Sequence, residues 1–148
     1  MRETLFNILS PRIEGTTFLD AYAGTGAVGI EALSRGAERA IFVEKNRAAV
    51  EIIRENLHSL GIENRAEVFT GKAWNVLERL AADIVFLDPP YELEREYGLV
   101  LETLGERKNL LVVAQHASRF SLADEYGAMK RTRLLKQGDN SLSFYESY

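Results

Sequence analysis

The sequence predicts an α/β fold: a doubly wound, mostly parallel sheet that ends in a C-terminal antiparallel hairpin. Three observations predict it. Short apolar runs recur at regular intervals along the chain, and stretches with helical apolar spacing separate them. The two longest runs are continuously apolar rather than alternating, as in parallel strands buried on both faces. The resulting order βαβαβαβαβ implies right-handed crossovers within one sheet.

Taken in order, residues 2–9 read as a short leading helix that stops before Pro11. Thr17-Phe18-Leu19 is the first strand, and residues 26–35 form a helix closed by Gly36. Ala40-Ile41-Phe42-Val43 follows as the second strand. Residues 47–60 then place Val50, Ile53, Leu57 and Leu60 on one apolar stripe, with Gly61 closing the helix. Val68-Phe69, Ile84-Val85-Phe86-Leu87 and Leu110-Leu111-Val112-Val113-Ala114 read as three more strands, with helices over 72–80 and 93–104 between them. Around the turn signal Gln137-Gly138-Asp139-Asn140, residues 129–136 and 141–147 read as a hairpin. Leu142 and Phe144 alternate with serines there, which predicts a hairpin half-buried at one side of the sheet. There are no repeats, low-complexity segments or linkers, so a single domain over 1–148 is expected.

Composition narrows the chemistry. The 148 residues carry 18 Lys+Arg against 22 Asp+Glu, a net charge of −4, with 46% hydrophobic and 27% charged residues. That is the balance of a globular chain with a sizeable core. The absence of cysteine excludes disulfides, thiolate-bound metals and thiol nucleophiles, and two histidines are too few for a histidine-built metal site. No apolar run approaches a membrane span and no signal-peptide pattern opens the chain, so a cytoplasmic protein without membrane or metal partners is expected. The mild acidity argues against a broad basic face that coats nucleic acid.

The first strand runs through Asp20 into Ala21-Tyr22-Ala23-Gly24-Thr25-Gly26-Ala27-Val28-Gly29, a G-x-G-x-x-G loop that opens a helix. Glycines there let the backbone turn tightly and approach a ligand. Glu44 follows Gly24 by twenty residues, at the end of the second strand, where a carboxylate can accept both ribose hydroxyls. The loop alone fits nicotinamide dinucleotides, flavins and S-adenosylmethionine about equally. Asp20 separates them. A carboxylate beside the loop repels a pyrophosphate but suits the ammonium and sulfonium of S-adenosylmethionine.

Two of the three prolines stand together in Asp88-Pro89-Pro90-Tyr91, directly after the fourth strand. Ligands of open α/β sheets bind outside the carboxyl ends of the strands, so this segment is expected beside the glycine loop. Paired prolines fix two φ angles and remove two amide donors. What remains is a rigid acceptor pair, the Asp88 carboxylate and the Pro89 carbonyl, suited to gripping an exocyclic –NH₂, with Tyr91 able to lie on an aromatic ring. Gripping both N–H bonds favours a pyramidal nitrogen and aims its lone pair at an electrophile. Methyl transfer would then be a direct displacement that rests on positioning.

This set of Asp20, Gly24-Thr25-Gly26, Glu44 and Asp88–Tyr91 resembles the class I amino-methyltransferases. Arg2-Glu3-Thr4-Leu5-Phe6-Asn7-Ile8-Leu9, Glu31-Ala32-Leu33-Ser34-Arg35-Gly36-Ala37, Gly138-Asp139 and Leu142-Ser143-Phe144-Tyr145 narrow the resemblance to the RsmD family across essentially the whole chain. The resemblance implies a Rossmann-like fold and transfer from S-adenosylmethionine to the exocyclic N2 of one guanine in small-subunit (16S) ribosomal RNA. It implies that Gly24, Thr25 and Gly26 line the methionine part of the cofactor, Glu44 holds the ribose and Lys45 flanks the adenine. Asp20, Tyr22 and Asp88 join the cofactor contacts, and Asp88–Tyr91 hold the guanine. Two departures stand out. Lys72, after Gly71, replaces the acidic residue the family uses toward the adenine amine, so backbone groups of Lys72 and Ala73 are expected to take that role. The chain also starts at its first helix, where the family has a preceding basic stretch and small hairpin, so weaker RNA affinity or a truncated chain is expected.

Other residues carry weaker expectations. Lys130, Arg131, Arg133 and Lys136 form a basic run in the tail that either contacts RNA phosphates or blunts an edge strand. Arg2 either reaches RNA or is a solvated helix end. Glu92, Glu94 and Glu96 read as a mobile, solvated helix start. His116 reads as a surface residue that could line a rim, His58 as structural, and Trp74 as packing under the adenine side. A monomer is expected, acting on RNA within a small-subunit particle. The rival readings are an adenine-N6 or cytosine-N4 amino-methyltransferase, a dinucleotide oxidoreductase and a catalytically silent RNA-binding module.

Overall fold

The computed structural model describes residues 1–148. In chain order it holds α1 (Arg2–Ile13), β1 (Thr17–Asp20), α2 (Ala27–Ser34), β2 (Arg39–Glu44), α3 (Arg47–Ser59), β3 (Ala66–Thr70), α4 (Ala73–Val76), β4 (Ile84–Leu87), α5 (Glu96–Leu104), β5 (Leu110–Ala117), β6 (Glu125–Tyr126), β7 (Met129–Gln137) and β8 (Asn140–Ser147). The strands make one eight-stranded sheet in the order β3-β2-β1-β4-β5-β8-β7-β6. The first five are parallel, and β8 runs antiparallel to both β5 and β7. This is the expected doubly wound, mostly parallel sheet with its antiparallel hairpin.

Period-2 alternation sends successive strand residues to opposite layers. Leu19, Val43, Val85, Leu87 and Val112 face α4 and α5, where they pack with Val76, Leu77, Val100, Leu101 and Leu104. Phe18, Ile84, Phe86, Leu111 and Val113 face the other way, onto Leu5, Phe6, Leu9 and Ile13 of α1 and Ala32 of α2. Phe42 joins Leu33, Ile53 and Leu57 of α2 and α3 on that same side. Each fully buried Leu or Phe contributes about 1.5–3 kcal/mol. Helix α3 is set locally: the Asn46 side chain accepts from the Ala49 amide at 3.0 Å, and Gly61 follows the helix with φ +70°. The strand order reverses between β1 and β4, which opens a crevice at their carboxyl ends. No helix is long and apolar enough to cross a membrane.

Several elements depart from expectation. Helix α1 does not stop before Pro11 but runs to Ile13, because Leu9 and Ile13 are both buried on the sheet and a proline near the helix end removes only one hydrogen bond. The stretch 72–80 divides into α4 and a 3₁₀ turn, Leu77–Arg79, while the region from 93 begins with the 3₁₀ turn Tyr91–Leu93 before α5. Leu60 lies past the end of α3 and is 58% exposed, so it leaves the stripe formed by Val50, Ile53 and Leu57. The hairpin is not half-buried as a unit. Strand β8 sits between β5 and β7, so Leu142, Ser143, Phe144 and Tyr145 are all buried, and the exposure falls on β7. The short β6 pairs with β7 at the edge and had no apolar signal.

Candidate active site

The crevice is a cavity of about 960 Å³. That is the upper end of ordinary ligand pockets and leaves room for two bound groups side by side. Tyr22, Gly24, Glu44, Lys45, Lys72 and Ala73 line it, and so do Asp88, Pro89, Pro90 and Tyr91. The glycine loop, the end of β2 and the Asp-Pro-Pro-Tyr segment therefore meet in one place. Asp20, Thr25 and Gly26, expected to contact the cofactor, are not among the lining residues, and Thr25 is exposed. Asp20 is buried beneath the loop, Gly26 is buried at the start of α2, and the carbonyl of Thr25 accepts from Asn56 Nδ2 at 3.2 Å.

The loop glycines divide the work. Gly24 has φ +58° and open space where a Cβ would stand, so the backbone faces the cavity unscreened. At Gly29 a Cβ would lie 2.3 Å from the Phe42 ring, so that glycine lets α2 close onto β2. Glu44 braces this geometry. Its Oε1 accepts from the Gly24 amide at 2.8 Å and its Oε2 from the Asn46 amide at 2.9 Å. Each oxygen keeps a second lone pair for a ligand.

Two carboxyl groups are electrostatically unusual. Burial pushes Asp20 up to about 7, against backbone hydrogen bonds from Tyr22 and Gly29 that favour its ionised form. The negative charges of Asp88 and Glu44 raise it further. Its Oδ1 has no hydrogen-bond partner. Asp88 opens into the cavity, yet partial desolvation by the surrounding protein raises it to about 6.

The sequence did not disclose several contacts. Glu96 is buried rather than solvated and accepts from the Tyr22 hydroxyl at 2.7 Å, which ties α5 to the glycine loop. Burial and this bond hold the Tyr22 phenol above its ordinary value. The apolar stripe Tyr97, Val100, Leu101 and Leu104 has Glu96 on its flank, a spacing that could have signalled burial. Tyr97 donates to the carbonyl of Gln115, which anchors α5 to β5. His116 is not a surface residue. It is buried against the cavity wall, with Nδ1 near the carbonyls of Ala117 and Phe120 and Nε2 2.8 Å from Ser143 Oγ, and burial lowers its pKa. His58 is exposed and pairs with Glu63. Trp74 lines the cavity with 38% of its surface open. Glu94 pairs with Arg119, whose guanidinium lies over the Tyr91 ring, 5.7 Å from its centroid.

The basic tail run is partly engaged. Arg131 bonds Asp124 at 2.7 Å and Ser143 at 3.3 Å, Lys130 pairs with Glu125 at 3.9 Å, and Arg133 lies over Phe144. Arg2 is exposed on α1 and does not line the cavity.

The family described as conserved hypothetical protein 95 matches residues 1–146. Ribosomal RNA small subunit methyltransferase D of Escherichia coli is 42% identical over 107 residues, 71% of this chain and 52% of that protein. The chain belongs to the RsmD family. YlbH of Bacillus subtilis is 32% identical over 155 residues, covering 99% of this chain and 84% of its own length. The chain thus spans most of YlbH and about half of the E. coli relative. A conserved hypothetical protein of Streptococcus pyogenes has the same fold at TM-score 0.90 and 31% identity, covering 100% of this chain and 96% of that one.

Proposed function

We infer that this RsmD-family chain transfers a methyl group from S-adenosylmethionine to the exocyclic N2 amine of a guanine in small-subunit (16S) ribosomal RNA. One observation carries the reading: a single cavity brings the Gly24 backbone and Glu44 against Asp88-Pro89-Pro90-Tyr91, with room for a cofactor and a base. One domain, residues 1–148, holds both halves of the site in this reading, and the continuous sheet supports it.

The residues present fit the cofactor. The Asp20 carboxyl, buried under the glycine loop with an unpartnered oxygen, would be stabilised in its ionised form by a cation bound nearby. The open space before Gly24 admits a ligand against the backbone, and Glu44 keeps lone pairs for ribose hydroxyls. Lys45, Lys72 and Ala73 border the end where an adenine would lie. When bound, S-adenosylmethionine supplies an electrophilic methyl on a positively charged sulfur.

The chain's own groups then act on the amine. Asp88 and the Pro89 carbonyl accept its two N–H hydrogens, which aims the nitrogen lone pair, while Tyr91 supports the base. With the methyl that the bound cofactor would supply, the nitrogen lone pair would be the nucleophile and the Asp88 carboxylate would take the proton that the nitrogen sheds. Burial has already raised the proton affinity of that group. The Tyr22–Glu96 bond keeps the two halves of the cavity in register. The local character of the site favours an RNA presented within a small-subunit particle to a monomeric enzyme.

The test is methyl transfer from labelled S-adenosylmethionine to unmethylated small subunits and to naked 16S RNA, followed by nucleoside analysis. N2-methylguanosine is the expected product. Label found only on adenine, cytosine or protein would overturn the reading.

A further inference from the structure

We propose that Arg119 is the specificity-determining residue that reads the O6/N7 edge of the target base and so selects guanine. The inference rests on the reading above, in which a purine amine is held at Asp88 and the ring stacks on Tyr91.

The arrangement follows from where the groups stand. Asp88 lies at the end of β4 facing the cavity, and Tyr91 lies three residues further out with 71% of its surface exposed. A purine whose N2 points to Asp88 while its ring lies on Tyr91 turns its far edge toward the cavity mouth. Guanine presents two acceptors there, O6 and N7, whereas adenine presents N7 and an amine donor. A guanidinium matches the guanine pair with two parallel N–H donors, and this is the commonest specific contact to that base.

Arg95 lines the cavity, but Arg119 is the arginine that stands against Tyr91. Its guanidinium lies over the Tyr91 ring, 5.7 Å from the centroid and beyond the roughly 3.5–4 Å of a stacked layer. A base settling onto Tyr91 would push this exposed side chain aside, toward the base's outer edge. Its pairing with Glu94 is long, 3.7 Å, and its side chain is 67% exposed, so exchanging that partner for a base edge costs little.

The loop that carries Arg119 is held firmly. The Ser118 amide donates to Asp139 at 2.8 Å, Ser118 Oγ and Ser141 Oγ are 2.9 Å apart, and the Phe120 amide donates to Ala117 at 2.9 Å. Phe120 also packs on Tyr97 and its carbonyl contacts His116. An exposed arginine on an anchored loop aims its head group with little ordering left to do.

The experiment uses the full chain and small-subunit RNA whose methylated position is first mapped with the wild-type enzyme. That position is then filled, by ligation of a synthetic segment, with guanosine, 7-deazaguanosine (no N7) or 2,6-diaminopurine riboside (O6 replaced by an amine, N2 retained). The wild type is expected to favour guanosine over diaminopurine by about 10- to 100-fold in kcat/KM, with 7-deazaguanosine between them. Arg119→Ala should lose about 10- to 100-fold on guanosine and treat the three bases alike within about twofold. Its affinity for S-adenosylmethionine should be unchanged, which verifies an intact fold. Arg119→Lys should recover part of the rate but not the dependence on both N7 and O6.

If Arg119→Ala slows all three substrates equally and keeps the wild-type ratios, Arg119 contacts a phosphate or merely props Tyr91, and the proposal is overturned. Transfer of the discrimination to Asn140→Ala, which lines the cavity from the strand position paired with Ala117, would overturn it as well. Failure of the wild type to methylate guanosine at all is a separate result. It rejects the functional reading itself and shows in the unmutated enzyme.

Discussion

The substitution Asp20→Asn should separate what stabilises the fold from what holds the cofactor. The Asp20 carboxyl is fully buried, has one oxygen without a partner and is raised from 3.8 to about 7. The folded protein therefore keeps this proton at pH values where the unfolded chain has released it. The contribution of this group to stability is highest below pH 4, falls as pH rises from about 4 to 7, and is flat above that. The full span for this one group is about 4 kcal/mol, set by burial of an ionised carboxylate. The amide that replaces the carboxyl cannot titrate, so the stability difference between the variant and the wild type should move by up to that amount between pH 4 and pH 8, in the variant's favour at the higher pH. Denaturant melts of the cofactor-free proteins across that range measure it. In the same variant the affinity for S-adenosylmethionine should fall severalfold, because the negative charge beneath the glycine loop that favours a bound cation is removed. A stability difference that does not vary with pH would refute the electrostatic reasoning. Unchanged cofactor affinity would refute the role assigned to the carboxylate.

Four further outcomes follow from the same geometry. Asp88→Asn should lower kcat by about 100-fold or more with little effect on the KM for the cofactor, since one side chain loses both its charge and its capacity to take the proton. Because desolvation raises the wild-type Asp88 to about 6, wild-type kcat/KM should climb with pH through about 6 and then level, and this rise is read from a pH–rate profile. Glu96→Ala should destabilise the fold by about 1–3 kcal/mol in denaturant melts, because it leaves the half-buried Tyr22 hydroxyl without its acceptor. Gly29→Ala should cost about 1–3 kcal/mol by overpacking, since its Cβ would stand 2.3 Å from the Phe42 ring, and thermal denaturation measures it.

The sites that could be read from the chain are those whose parts are contiguous. The glycine loop and Asp88–Tyr91 each bring their groups together within a few residues, and their placement after buried strands puts both at the same edge of a parallel sheet. The residues that escaped notice acquire their roles from partners far along the chain. Glu96 looked solvated because its neighbours are charged, yet Tyr22 lies 74 residues earlier and meets it across the cavity. His116 and Arg131 looked exposed, but both turn onto Ser143 of the strand between them.

By itself the sequence determined the order of every strand and helix but β6, the doubly wound topology and the two loops that meet at the cavity. Apolar periodicity reports which face of each element is buried, and chain order with right-handed crossovers then leaves few arrangements. Only the tertiary structure decided that β8 lies within the sheet and not at its rim, that Asp20 supports the loop from beneath and does not line the cavity, and that Arg119 covers Tyr91. Periodicity is a local signal. Burial of a charge, its loss of water and its choice of partner depend on which distant segments pack against it, and those are set when the sheet closes.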